Sequence, residues 1–335
     1  MYKELFEDKV VLITGGTGFL GHQLVRRILP YNPKSIRLFS RDEVKHFHTQ
    51  SKFESHPKLR YLIGDVRDYT RLRKALKDVD IVIHAAALKR IDILEYNVEE
   101  AIQTNVLGTL NVARACWDEN VKKAIFVSTD KACSPVNTYG ACKFIGERIF
   151  TESNYNKGSS STVFLSVRYG NVLDSTGSVI PSFVENIMKN EPISLTDERM
   201  TRFLITPNQA VDLIFNSILH SKGGEVFIPK LNSFKVVDLI KVLTEHHKKD
   251  VKTKVIGIRP GEKIHEILVN ETEARRTHQL DNCYVIKSDI EKHQTGITAT
   301  YLQDAPAIEC SELSSKDFLI SPEQLYQALL ENNIL

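Results

Sequence analysis

Short apolar runs rich in β-branched residues recur through the first half of the chain: Val10-Val11-Leu12-Ile13, Ile36-Arg37-Leu38-Phe39, Leu59-Arg60-Tyr61-Leu62-Ile63, Ile81-Val82-Ile83, Ala124-Ile125-Phe126-Val127 and Val163-Phe164-Leu165-Ser166-Val167. Between them, Phe19 to Leu29, Arg71 to Lys77, Ala101 to Asp118 and Tyr139 to Thr151 place apolar residues at helical spacing, as at Val106, Leu110 and Ala113. Strands alternating with helices from Val10 to about Val172 predict an α/β fold, a Rossmann-like doubly wound parallel sheet flanked by helices.

After Asn171 the rhythm loosens. Glycine and proline punctuate the chain at Gly177, Pro181, Pro192, Pro207, Gly223, Gly224, Pro229, Pro260 and Gly261. This half predicts a smaller, discontinuous C-terminal substrate lobe. A helix from Pro207 to about Leu219 and a strand at Val226-Phe227-Ile228 return to the first domain. The expected division is 1–172 plus about 204–231 for dinucleotide binding, and about 173–203 with 232–335 for substrate.

Charge narrows the range of partners. The 44 basic and 42 acidic residues leave a net charge of +2, which offers no broad basic face for a nucleic acid. No apolar run approaches the roughly 20 residues of a membrane span, and Lys3, Glu4, Glu7, Asp8 and Lys9 precede the first apolar run, so neither anchor nor signal peptide is expected. The five cysteines, Cys116, Cys133, Cys142, Cys283 and Cys310, show no C-x-x-C pairing, which argues against a disulfide framework or a metal site. A cytoplasmic protein is the expectation.

Directly after the first strand, Thr14-Gly15-Gly16-Thr17-Gly18-Phe19-Leu20-Gly21 sets glycines at 15, 18 and 21. This is a G-x-x-G-x-x-G form of the dinucleotide fingerprint, in which the backbone approaches a pyrophosphate at a helix N-terminus. Thr17, Phe19 and Leu20 belong to the same loop and helix start. The second strand ends in Ser40-Arg41-Asp42: Ser40 and Arg41 suit a ribose 2′-phosphate and favour NADP, whereas Asp42 would serve NAD. Asp65-Val66 follows the third strand, where the acid either accepts from the adenine amino group or caps a helix. Small residues at Ala85, Ala86 and Ala87 let the chain pass close to a cofactor, and Asn105 can fix the end of the fourth strand.

Tyr139-Gly140-Ala141-Cys142-Lys143 opens the helix after the fifth strand with tyrosine and lysine one turn apart on one face. An ammonium beside a phenol is expected to lower its pKa from about 10, making Tyr139 a base for a hydroxyl proton and Lys143 its partner.

With Ser128-Thr129 at the fifth strand's end, these features resemble an extended short-chain dehydrogenase/reductase acting on nucleotide sugars. Ser40-Arg41-Asp42-Glu43, Gly64-Asp65-Val66-Arg67-Asp68, His84-Ala85-Ala86-Ala87-Leu88-Lys89, Ser128-Thr129-Asp130-Lys131-Ala132, Arg168-Tyr169-Gly170-Asn171-Val172, Met200-Thr201-Arg202-Phe203 and Arg259-Pro260-Gly261-Glu262-Lys263 are similar to the configuration-inverting UDP-N-acetylglucosamine 4,6-dehydratases of surface glycan and flagellin sugar synthesis. The resemblance runs from about Val10 to Glu266 and leaves the last 60 or so residues poorly covered.

It implies loss of water across carbons 5 and 6 of UDP-N-acetylglucosamine, oxidation at carbon 4, inversion at carbon 5 and a homo-oligomer, with hexamers expected. By the same resemblance Thr129 bonds the sugar's 4-hydroxyl and Tyr139 deprotonates it, while Lys143 holds Tyr139 and the nicotinamide ribose. Asn171, Arg202 and Arg259 are implied for the diphosphate, Glu262 for the uridine ribose, Lys89 for the sugar end, and Ser178 and Val179 for the substrate entrance. One departure stands out: Ser175-Thr176-Gly177-Ser178-Val179 has threonine where the family carries arginine.

Asp130 and Lys131 are the pair expected to eliminate water, Lys131 as carbon-5 base with its pKa depressed and Asp130 as acid. A UDP-sugar 4-epimerase or a retaining 4,6-dehydratase is the alternative enzyme. A catalytically silent NADP-binding regulator is the alternative of another class.

Overall fold

The computed structural model describes residues 2–173, 179–288, 290 and 300–335. Its centre is a nine-stranded sheet whose parallel strands include β1 (Val10–Thr14), β2 (Ser35–Ser40), β3 (Leu59–Ile63), β4 (Ile81–His84), β5 (Lys123–Val127) and β6 (Val163–Val167). They lie in the order β3-β2-β1-β4-β5-β6, followed by the strand Val226–Pro229, so the chain winds outward in both directions from β1 and β4. All six expected strands form, to within one residue at most ends.

The sheet is buried on both faces. In β1, Val11 and Ile13 join the layer that contains Leu24, Val25 and Ile28, while Val10 and Leu12 join the opposite layer with Leu72, Leu76 and Val112. Period-two alternation of apolar side chains therefore feeds two helical layers rather than one core and one wet face. The first layer receives α2 (Phe19–Ile28) and the helix Pro207–His220; the second receives α4 (Tyr69–Leu76) and the helix Gly108–Asp118.

Three elements depart from the sequence pattern. The span expected as one helix over Ala101 to Asp118 winds as a π-helix from Ile102 to Leu107 before the α-helix Gly108–Asp118. A helix the pattern did not reveal, α3 (Glu43–Lys52), begins at Asp42, whose Oδ1 accepts from the Lys45 amide at 2.9 Å. Lastly, Thr277–Gln279 and Cys283–Ile286, expected with the substrate lobe, extend the main sheet as an antiparallel hairpin on Val226–Pro229, with Val285 opposite Phe227. Val285 and Ile286 are fully buried there, and that apolar surface draws the hairpin to the sheet edge.

A separate core gathers Ile180, Phe183, Ile187, Leu239, Leu243, Leu325 and Leu329 from the helices Val179–Lys189, Val236–His246 and Pro322–Glu331. The last of these starts with a capping box between Ser321 and Gln324. Among the described residues no helix is long and apolar enough to cross a membrane.

Candidate active site

The glycine-rich loop sits at the carboxyl end of β1, beside the start of β4's exit segment. Gly15 takes φ +69° and its amide donates to the Phe39 carbonyl at 2.8 Å; a Cβ there would stand 3.0 Å from the Ala86 backbone. Helix α2 begins at Gly18 with no side-chain cap and no acid in its first turn. Its first amides thus remain for an anion, as a dinucleotide pyrophosphate requires. The residues present fit such a group: Thr17 donates its amide to Ser40 Oγ at 3.3 Å, and Phe19 and Leu20 open the helix beside it.

At the end of β2 the candidates separate. Asp42 is the α3 cap, whereas Arg41 is half exposed, its guanidinium 3.5 Å from Asp65 Oδ2. Asp65 also accepts from the Arg67 amide at 2.9 Å and from its guanidinium at 2.8 and 3.0 Å. Burial alone would raise the Asp65 carboxyl, but Arg67 and then Arg41 outweigh it and bring its pKa below the ordinary value. Val66 is buried against Gly108.

The segment after β4 is pinned at Ala85, Ala86 and Leu88. The Ala85 amide donates to the Thr14 carbonyl at 3.2 Å, the Ala86 amide to Thr14 Oγ1 at 3.1 Å, and Asn105 bonds both backbone groups of Leu88 at 2.8 Å. Ala87 lies within this anchored stretch. Asn105 reaches Leu88 from the π-helical turn, a winding common near functional sites. His84 completes the support: its ring nitrogens pair with Thr14 at 2.7 Å and Thr109 at 3.0 Å. Burial, with Lys143 nearby, lowers its pKa to about 3 and keeps it neutral.

The candidate reacting groups converge at the end of β5. The Ser128 amide donates to the Val167 carbonyl at 2.7 Å and the Asp130 amide to the Tyr169 carbonyl at 3.0 Å, so the turn Thr129-Asp130-Lys131 continues the sheet's register. Thr129 Oγ1 donates to Asp130 Oδ1 at 2.8 Å, Lys131 Nζ donates to the same oxygen at 3.0 Å, and a second Lys131 proton goes to Asn171 Oδ1 at 3.1 Å. Tyr139 hydrogen-bonds Thr129. Gly140 lets the helix Thr138–Tyr155 pass over this turn, since a Cβ there would run into the Lys131 carbonyl.

Electrostatics reverse two expectations. Burial opposes charge on Lys131, but Asp130 and Glu266 outweigh it, so its pKa is raised and not depressed. Burial, with Asp130, pushes the Tyr139 phenol up to about 12 against the pull of Lys131 and Thr129. Lys143 Nζ donates to the Val127 carbonyl at 2.7 Å and lies 4.5 Å from the centre of the Phe126 ring. Burial lowers the Lys143 pKa to about 8, only partly offset by Glu147.

The substrate candidates are spread around this centre. Arg202 donates to the Thr201 and Ile264 carbonyls at 2.8 and 3.1 Å, and Lys89 follows the alanine segment. Arg259 and Glu262 sit in a loop joined by the Glu262 amide to the Arg259 carbonyl, and Asn137, the cap of the helix Thr138–Tyr155, donates to Gly261 in that loop at 2.8 Å. Val179 is exposed at the start of its helix. Ser178 and the Thr176 departure lie outside the described residues.

Two groups went unread in the sequence. Glu266 is 3% exposed, with Oε1 3.8 Å from Lys131 Nζ and 3.7 Å from Arg202 Nε. Arg168, fully buried, is held by Glu147 at 2.6 Å and Glu273 at 2.7 Å, and Ser128 Oγ donates to Glu147 at 2.6 Å. Arg168 lies inside a motif quoted above, but no spacing rule links it to acids 21 and 105 positions away.

The chain is similar along most of its length to several known proteins. A Campylobacter jejuni protein named UDP-N-acetylglucosamine 4,6-dehydratase (inverting) is 44% identical over 289 residues, covering 86% of this chain and 85% of the relative. A Rickettsia bellii protein named UDP-glucose 4-epimerase is 40% identical, covering 85% and 84%. The solved structure of Pen from Bacillus thuringiensis superposes with a TM-score of 0.90 at 40% identity, covering 97% of this chain and 99% of that one. Residues 11–288 match the polysaccharide biosynthesis protein family, and the chain belongs to it.

Proposed function

We propose that this chain dehydrates UDP-N-acetylglucosamine across carbons 5 and 6 with inversion at carbon 5. The observation that carries the proposal is the buried Asp130–Lys131 ion pair beside Thr129 and Tyr139, together with the 44% identical relative of that name. A nicotinamide dinucleotide, held by the 15–21 loop, Ser40, Arg41 and the 85–87 segment, would supply the hydride acceptor for carbon 4. NADP is favoured over NAD because Asp42 is occupied as a helix cap while Arg41 stays half exposed.

Thr129 Oγ1 and the Tyr139 phenol orient the 4-hydroxyl, and Tyr139 takes its proton as the phenolate, which it becomes by first giving up its own proton to solvent. Once carbon 4 is a ketone the carbon-5 proton is acidic, because its loss gives an enolate. Lys131 is an ammonium in the resting site. Transfer of one proton to Asp130 Oδ1, 3.0 Å away, makes Lys131 the neutral base that carbon 5 needs and Asp130 the acid that the carbon-6 hydroxyl needs. When Lys131 takes the carbon-5 proton and Asp130 protonates the departing water, the resting ion pair is restored; return of the hydride to carbon 6 and of a proton to the opposite face of carbon 5 would then complete the inverted 4-keto-6-deoxy sugar with no net change in the dinucleotide. Arg202, Arg259 and Glu262, from the lobe of about 173–203 and 232–335, hold the nucleotide diphosphate and ribose together with Asn171 of the first domain, whose Lys89 takes the sugar end. A homo-oligomer, hexameric by resemblance, in the cytoplasm completes the reading.

The 40% identical epimerase of Rickettsia favours a second reading, exchange of configuration at carbon 4. That reaction leaves Asp130 and Lys131 idle. Incubation with UDP-N-acetylglucosamine and NADP separates the readings by mass and proton spectra. Loss of one water with inverted carbon 5 supports the dehydratase, an isomer of unchanged mass supports the epimerase, and unchanged substrate supports a silent regulator.

A further inference from the structure

Glu266 stands in none of the motifs that mark this site, yet it touches two of its cations. Its Oε1 lies 3.8 Å from Lys131 Nζ and 3.7 Å from Arg202 Nε, and Oε2 is buried without a hydrogen-bond partner. The backbone leaves it no freedom to withdraw. The Glu266 amide donates to Ser315 Oγ at 2.9 Å, the Ser315 amide returns to the Glu266 carbonyl at 2.8 Å, and Ser315 Oγ also pairs with Thr201 Oγ1 at 2.6 Å.

A carboxylate removed from water to this degree costs free energy unless it is compensated, and both compensating charges are residues of the proposed reaction. We propose that Glu266 is a positioning residue that shares one negative charge between Lys131 and Arg202, holding Lys131 protonated and aimed at Asp130 while fixing Arg202 toward the diphosphate. The inference rests on the dehydratase reading and adds to it a carboxylate that acts through its neighbours.

The charged and titratable groups facing Lys131 are Asp130 on its own turn, Glu266 from the segment before Ile267–Val269, Arg202 from Thr201–Phe203, and Tyr139 from the helix Thr138–Tyr155. Asp130 alone remains as a counter-charge once Glu266 is neutral. Glu266→Gln should therefore lower the pH at which Lys131 becomes a free amine by about one unit or more.

Competitive acetylation of the full-length protein across pH, read at Lys131 by peptide mass spectrometry, measures that directly and needs no turnover. Steady-state kinetics with UDP-N-acetylglucosamine should add a several-fold rise in KM. A labelling midpoint for Lys131 unchanged from wild type overturns the inference, whatever the activity. Should Glu266→Gln fail to fold, Glu266→Asp, which keeps the charge but draws it back, should shift the midpoint in the same direction by less; no shift overturns the inference equally. A wild-type protein that does not dehydrate this substrate would defeat the reaction reading and leave the labelling result standing.

Discussion

Asn105 clasps Leu88 by both of its backbone groups: Oδ1 accepts from the Leu88 amide and Nδ2 donates to its carbonyl, each at 2.8 Å. The contact ties a π-helical turn to the chain leaving β4. The alanine segment thereby holds its path beside Gly15 with no large side chain of its own. Asn105→Ala orphans both Leu88 groups and should cost about 1–3 kcal/mol. Thermal unfolding reads the loss, and dinucleotide affinity should fall with it. An unchanged Tm and affinity would mean the segment holds itself.

Lys131→Ala should abolish dehydration and also the exchange of the carbon-5 proton with deuterated solvent, while dinucleotide binding survives. The ammonium is held by Asp130, Asn171 and Glu266, so its removal leaves the site's acid and base without their shared proton. Exchange at the wild-type rate would move the base to another residue.

Lys143, a candidate catalytic residue, carries a folding cost. Its folded pKa of about 8 lies below the ordinary 10.5, so the folded state sheds a proton that the unfolded state keeps. From this group alone, stability rises as pH climbs from about 8 to 10.5 and is at its lowest below that window. Lys143→Met should therefore match or exceed wild-type stability at pH 7, lose that advantage by pH 10.5, and lose turnover at both. Denaturant midpoints at the two pH values check the sign.

The Arg168 guanidinium lies between Glu147 and Glu273, all three within the core. Arg168→Met leaves two carboxylates facing each other and should destabilise by about 3–5 kcal/mol. Burial opposes ionisation of Glu273, but Arg168 outweighs it and sets its pKa below the ordinary 4.5. That contribution is present above about pH 4.5 and lost as pH falls through the lowered value. The cost of Arg168→Met should accordingly be largest near neutral pH and shrink as pH falls, because protonation removes the two uncompensated charges; denaturant midpoints at pH 7 and pH 4 check the sign.

Arg41→Ala should narrow a preference for NADP over NAD by something like 1.5–3 kcal/mol, the worth of a hydrogen bond to a charged group. Asp42→Ala should cost about 1 kcal/mol of stability as a lost cap and leave the cofactor ratio alone. Equal wild-type affinities for the two dinucleotides would overturn the assignment.

The sheet and its first binding loop were legible along the chain because their causes are local. Val10 to Ile13 is an unbroken apolar run, as a strand buried on both faces needs, and Gly15 follows Thr14 where the backbone must turn left-handed. The pairing of Thr129, Asp130 and Lys131 needed only adjacency. The hairpin Thr277–Ile286 was misassigned because its partner strand lies some fifty residues back, and pairing across that distance leaves no local trace. Asp42 had two uses, a cofactor ribose or a helix cap, and only the course of α3 chose between them. The protonation of Lys131 was beyond the sequence for the same reason: its sign depends on Glu266, 135 residues away and 3.8 Å distant, and a charge balance at that range exists only after folding has removed the water between them.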